Sequence, residues 1–138
     1  ALFIAGFLFY LAFAQATAAQ YLKAGRMPAT LAHVRAVYAE RAQAMGDALR
    51  AELGAAVDFV QPQGGLFVWA RLTGAGGAVQ DGNLLAQRAI AKGVAFVPGA
   101  PFFCANPDPA TLRLSFATAD VAKIREGVAR LGQALAQP

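Results

Sequence analysis

The chain is poor in the residues that build covalent or metal-stapled scaffolds: its 138 positions hold one cysteine and one histidine. A lone Cys104 excludes an internal disulfide framework and any cysteine-based zinc centre, because both need several thiolates. With His33 as the single histidine, a histidine-rich metal site is excluded as well, so no metal ligands are expected. An unpaired thiol suits a reducing compartment, and a cytoplasmic location is the expectation. Charge is also scarce, at 14% of residues. A chain with so few charges and 57% hydrophobic residues is not a disordered acidic or low-complexity protein. The formal balance is +4, and the excess gathers in residues 23–50, where Lys23, Arg26, Arg35, Arg41 and Arg50 face only Glu40 and Asp47. No Lys/Arg cluster interleaved with aromatics accompanies it, which argues against nucleic-acid binding and for a solvated helix face.

Apolar residues are in excess. Average domains carry about 45–50% of them, and mean hydropathy here is +0.44. Alanine accounts for about a quarter of the positions. The opening run ALFIAGFLFYLAFA is the other contributor, and no charge appears before Lys23. Ala14-Gln15-Ala16 resembles a cleavage site, yet no basic residue precedes the run, as a secretory signal would require. The continuous apolar stretch is shorter than the roughly 20 residues that span a bilayer. A buried or interface helix is therefore expected before a membrane segment, packed on another copy of the chain. The apolar excess as a whole predicts surface that other protein parts cover.

Hydrophobic spacing and breakers organise the rest. Residues 1–24 read as a helix closed by Gly25 at a C′ position. A second, long helix is expected to follow Pro28, with Thr30 as N-cap and Leu31, Val34, Tyr38, Met45 and Leu49 as one stripe, ending at Gly54. Val57–Val60 and Leu66–Leu72 read as strands, with Phe67 and Trp69 on one face expected in the core. A Gly-rich loop over 73–82 leads to a short helix over 84–92. A strand over 94–97 is broken by Pro98-Gly99, and a proline-rich irregular loop occupies 100–109. Residues 112–117 alternate, with Leu112, Leu114 and Phe116 opposite Arg113, Ser115 and Ala117. An amphipathic helix over 120–136, capped by Thr118 or Asp120, closes the chain. Helices bracketing a few strands without regular βα alternation define an α+β fold. Its small, mostly antiparallel sheet is covered by helices, with a long N-terminal helical segment.

Few residues offer chemistry. Arg113, fixed mid-strand, would present two parallel N–H donors suited to a carboxylate. From spacing alone a solvent-facing arginine on a half-exposed strand is the favoured reading, because arginine is usually exposed. Gly64-Gly65 could let backbone approach a ligand, or simply turn the chain between two strands. Gly74-Ala75-Gly76-Gly77 lacks a phosphate-loop pattern. His33 has no acid at useful spacing, the scattered aspartates suit caps and turns, and Cys104 has no basic neighbour in sequence to activate it.

Three segments in order carry a resemblance: Pro62-Gln63-Gly64-Gly65-Leu66-Phe67-Val68-Trp69, then Gly93-Val94-Ala95-Phe96-Val97-Pro98-Gly99, then Leu112-Arg113-Leu114-Ser115-Phe116-Ala117. Together they resemble the C-terminal small domain of fold-type I pyridoxal-phosphate aminotransferases, in the 2-aminoadipate aminotransferase-like group that includes the aminotransferase-like domain of MocR-type regulators. Leu31–Arg41, residues 15–25 and Ile124–Leu131 fit the same pattern, whereas residues 1–14 fit it poorly. The resemblance divides the chain into an apolar helical segment, 1–24, and the small domain, 25–138. It implies that Arg113 binds the carboxylate of an amino or 2-keto acid, and that Gly64 and Gly65 line the substrate pocket. It also implies pyridoxal phosphate in the intact protein and none on this chain alone. The family's phosphate-binding, pyridine-binding and Schiff-base residues belong to its large domain, and Lys23, Lys92 and Lys123 match no Schiff-base motif. No catalytic or cofactor-binding residue is thus expected here. The chain is expected to be an inactive piece of an aminotransferase, with a MocR-type effector domain or a standalone binding module as alternatives.

Overall fold

A computed structural model describes residues 2–78 and 80–136. Internal contacts divide the chain into two compact units, residues 1–36 and residues 37–138. The first holds helix α1, Leu2–Lys23, and the opening turns of α2, Met27–Glu52. Gly25, at φ +67°, ends α1, and its amide donates to the Leu22 carbonyl at 3.0 Å. Phe7, Phe9, Tyr10 and Phe13 of α1 are exposed. No helix among the described residues is long and apolar enough to cross a membrane.

Helix α2 begins three residues before the expected cap. Thr30 lies inside it, with its amide on the Arg26 carbonyl at 3.2 Å and its hydroxyl paired with that of Tyr21. Pro28 explains the shift: it has no N–H to satisfy and its fixed φ suits a first helical turn, so the helix starts ahead of it. The expected stripe along α2 is buried only in its later turns. Leu31 is exposed, Val34 and Tyr38 are half-buried, and burial sets in at Ala42, Met45 and Leu49.

The second unit is an α+β layer. Strands β1, Val57–Phe59, β2, Phe67–Leu72, β3, Val97–Pro98, and β4, Thr111–Ser115, form one antiparallel sheet in the order β1-β2-β4-β3. Helices α3, Gly82–Ala91, and α4, Val121–Leu135, join the end of α2 on one face. Strand β3 is later and shorter than the expected strand over 94–97. It is an edge strand that pairs Val97 with Arg113 and Pro98 with Leu112, and an edge tolerates the missing N–H of Pro98.

The covered face is aliphatic. Val68, Ala70 and Leu72 of β2 and Leu112 and Leu114 of β4 are buried with Leu49, Leu85, Phe116, Ile124, Val128 and Leu131. The stripe on α4 needs spacings of three and four to meet a flat sheet, which Ile124, Val128, Leu131 and Leu135 supply. Asp81 caps α3 by accepting from the amides of Asn83 and Leu84, and Asp120 caps α4 by accepting from that of Lys123 at 2.8 Å. Phe67 and Trp69 are not in this core. Both are 41% exposed on the opposite face, because β2 turns its Val-Ala-Leu side to the helices.

Candidate functional site

The open face of the sheet gathers the chain's chemistry. Alternation along β4 puts Leu112 and Leu114 into the core, so Arg113 must point the other way. The ladder sets Arg113 opposite Trp69 on one side and Val97 on the other. Its guanidinium carbon lies 4.4 Å from the centroid of the Phe67 ring and 4.4 Å from that of Phe102, in the 3-10 turn Ala100–Phe102. Trp69 meets Phe102 edge-on at 6.0 Å and 79°, and lies 6.0 Å from Phe103. Two rings thus lie against the cation, and Trp69 and Phe103 extend the aromatic group beside them.

Electrostatics single out this arginine. Arg71, on the same face of β2, is taken up by Asp108, with Nε donating to Oδ2 at 2.8 Å. That hydrogen bond, helped by the Ala110 amide, holds the Asp108 carboxyl below its ordinary value. Arg113 has no ion pair or hydrogen bond among the described residues. Its Nε is the one buried side-chain nitrogen or oxygen without a partner among them, which leaves the terminal nitrogens open to solvent. A guanidinium over two ring faces, with an uncommitted donor edge, has the chemistry to pair with a carboxylate.

Gly64 and Gly65 lie just before β2, at the end of the sheet where β4 finishes. The next residue, Leu66, accepts from the Phe116 amide at 3.1 Å, one step past the Phe67–Ser115 pair. Both glycines are exposed, and a Cβ on either would meet nothing within 4 Å. Gly65, at φ +81°, is required by its backbone, whereas no neighbour within the chain requires Gly64.

The remaining candidates stay apart. Cys104 is exposed, His33 lies on an exposed turn of α2, and no group of three potential metal ligands occurs among the described residues. Phe67, Trp69, Phe102 and Phe103 form an aromatic group around Arg113 that the sequence reading did not assign to this site. Their signal was the alternation of β2, which put Phe67 and Trp69 on one face without showing which face was open.

A guanidinium on a central antiparallel strand, a glycine turn at the end of that sheet and helices on its other face make up an α+β domain with one open face. The chain belongs to the class I and II aminotransferase family, whose model matches residues 2–131. This match takes in the apolar N-terminal run, which the motif resemblance had left outside. Over 105 residues the chain is 50% identical to a 2-aminoadipate transaminase of Thermus thermophilus, covering 76% of the chain and 25% of the relative. It is 36% identical over 123 residues to an aromatic-amino-acid aminotransferase of Thermococcus litoralis, covering 89% of the chain and 28% of the relative. Among solved structures, the Thermus thermophilus α-aminoadipate aminotransferase LysN, complexed with N-(5'-phosphopyridoxyl)-L-leucine, superposes with a TM-score of 0.74 at 45% identity. That match covers 83% of this chain and 28% of LysN. A Pyrococcus horikoshii kynurenine aminotransferase gives a TM-score of 0.75 at 34% identity, over 84% of this chain and 28% of its own. The fold is that of fold-type I aminotransferases. The chain spans about a quarter of the length of the curated relatives it matches.

The described residues do not fit a phosphopyridoxyl group. Lys92 caps the C-terminus of α3, Lys123 pairs with Asp120 in the first turn of α4, and Lys23 ends α1. Asp108, beside the open face, is committed to Arg71. Among the described residues, the open face holds an unpartnered Arg113 Nε beside the Arg71–Asp108 pair.

Proposed function

We propose that these residues form the substrate-carboxylate grip of a pyridoxal-phosphate aminotransferase that moves an amino group between an amino acid and a 2-keto acid. Arg113 binds the carboxylate common to both, and the Gly64-Gly65 turn borders the same pocket. The observation that carries this reading is the uncommitted donor edge of Arg113, held on a rigid strand between two rings. Both substrates keep their carboxylate through the reaction, so Arg113 contributes orientation and uniform binding, not bond making.

Pyridoxal phosphate supplies the electron sink when bound, and the residues that hold it lie outside these 138. The chain alone is then without turnover. Incubating the purified 138-residue chain with pyridoxal phosphate, an amino acid and 2-oxoglutarate should give no keto-acid product, and measurable transamination would overturn the assignment. In the full-length enzyme, Arg113→Ala should raise KM for both substrates by about 10²-fold or more, the size of a charge-assisted bidentate contact of roughly 3 kcal/mol. An unchanged KM for both would sink it.

Two features extend the reading. The exposed aromatic rings of α1 support assembly with a second copy of the protein, and light scattering that returns a monomer mass for the full-length enzyme would refute this. The exposed, unpaired Cys104 fits a reducing compartment, and we place the enzyme in the cytoplasm. Fractionation that recovers it outside the cell would contradict that placement.

A further inference from the structure

We infer that Phe67 and Phe102 are positioning residues that clamp Arg113, so that it receives its ligand end-on through the two terminal nitrogens. The inference rests on the carboxylate role proposed for Arg113 and adds a geometry to it. The two phenyl rings lie 4.4 Å from the guanidinium carbon, well inside the range in which a ring face attracts a cation. A phenyl ring offers its face to the cation and accepts no conventional hydrogen bond, so neither ring takes the place of a ligand oxygen on a donor. What they remove is freedom: an unclamped arginine samples many rotamers, and only a few present both donors together.

The edge that remains is set by burial. Nε is inaccessible to water and unpartnered, so a carboxylate oxygen, which is no smaller, does not reach it. The terminal pair is the edge left open. The rings come from separate elements and are themselves supported. Phe67 is a diagonal neighbour of Arg113 across the β2–β4 ladder, where long side chains reach each other. Phe102 is held in its turn by its amide on the Gly99 carbonyl at 3.0 Å, and Gly99 is tied to the Thr111 carbonyl at 2.7 Å. Trp69 packs against Phe102 in a T-shaped contact at 6.0 Å.

The test is calorimetric binding of 4-methylpentanoate, a carboxylate with no amino group to react, to the full-length holoenzyme. Phe102→Leu and Phe67→Leu should each weaken binding about 5- to 10-fold, the scale of one partly desolvated cation–π contact. Phe102→Tyr, which keeps the ring face, should stay within about 2-fold of the parent. In steady-state assays both leucine variants should raise KM for the amino acid and for the 2-keto acid by a common factor while kcat holds. A general structural lesion would not produce that split. In an Arg113→Gln background the Phe102→Leu effect should largely vanish, because no cation remains for the ring to hold. Leucine variants that bind as tightly as the parent, while Arg113→Gln weakens binding, would overturn the clamp and leave the carboxylate role standing. If Arg113→Gln itself binds normally, the carboxylate role fails, and the clamp with it. Both rings are more than 40% exposed, so their replacement spares the core, and circular dichroism confirms the fold of each variant.

Discussion

Replacing Gly99 by alanine is expected to cost about 2–4 kcal/mol of folding free energy and to loosen the grip of Arg113 at the same time. Gly99 joins β3 to the turn that carries Phe102, and its backbone, at φ −80°, would suit any residue. The obstacle is space. A Cβ there would sit 2.3 Å from Thr111 Oγ1, 2.6 Å from Thr111 Cβ and 2.9 Å from its backbone carbon. None of these atoms can swing aside, because Thr111 is 3% exposed, its hydroxyl donates to the Asp108 carbonyl at 2.7 Å, and its backbone belongs to β4. Overpacking against rigid atoms costs about 1–3 kcal/mol. Displacing the edge strand also loses the 2.7 Å bond from the Gly99 amide to the Thr111 carbonyl, worth roughly 1 kcal/mol. Gly127 in α4 makes the control: a methyl there meets nothing within 4 Å, and removing a mid-helix glycine gains up to about 1 kcal/mol. Urea unfolding of the full-length protein and both variants measures the pair. The same chemical change should thus move stability in opposite directions, and a Gly99→Ala variant within about 0.5 kcal/mol of its parent would refute the packing argument.

Gly64→Ala should leave stability within about 0.5 kcal/mol, because its Cβ would project into open space, yet raise KM if the substrate fills that space. Chemical denaturation and steady-state kinetics together decide it, and an unchanged KM would remove Gly64 from the pocket. The Lys123 amide lowers the Asp120 pKa below its ordinary value. A carboxyl depressed in the folded state adds stability that is present above its unfolded pKa of about 3.9 and is lost as pH falls through the folded value. Asp120→Asn keeps an acceptor for the cap, so it should flatten the pH dependence of the melting temperature below about pH 4, and an unaltered acid slope would contradict the cap assignment. Asp108 obeys the same sign through Arg71, so Arg71→Gln should make its carboxyl protonate at higher pH, measurable by NMR titration. A carboxyl that titrates unchanged in that variant would show that Arg71 does not set its pKa.

The elements legible in the sequence are those in which one buried face imposes a period. Leu112, Leu114 and Phe116 alternate because β4 has one face in the core, and Ile124, Val128 and Leu131 recur because α4 lies on the same sheet. Where burial is partial, the pattern misled. Leu31 matches the α2 stripe but is exposed, whereas Met45 and Leu49 of the same stripe are buried. Phe67 and Trp69 have the bulk of core residues, and alternation said only that they share a face. Which face meets the helices is decided by α3, α4 and the end of α2, distant in sequence. The site shows the same division. Arg113 was legible as a donor on a strand, but Phe102 reaches it from a turn eleven residues earlier through a register that no local pattern encodes.

The short stretch that leads into β4 fastens that strand to nearly everything around it. The Pro109 carbonyl takes the first amide of α3, the Ala110 carbonyl takes the last amide of β2, and the Thr111 carbonyl takes Gly99 of the edge. Between Gly99 and this junction runs an exposed loop, 103–107, in which Asn106 adopts a left-handed conformation. The bonds that fix the start of the Arg113 strand therefore come from α3, β2 and Gly99, and none of the three comes from the exposed loop beside them. Replacements within 103–107 are expected to leave the position of that strand unchanged.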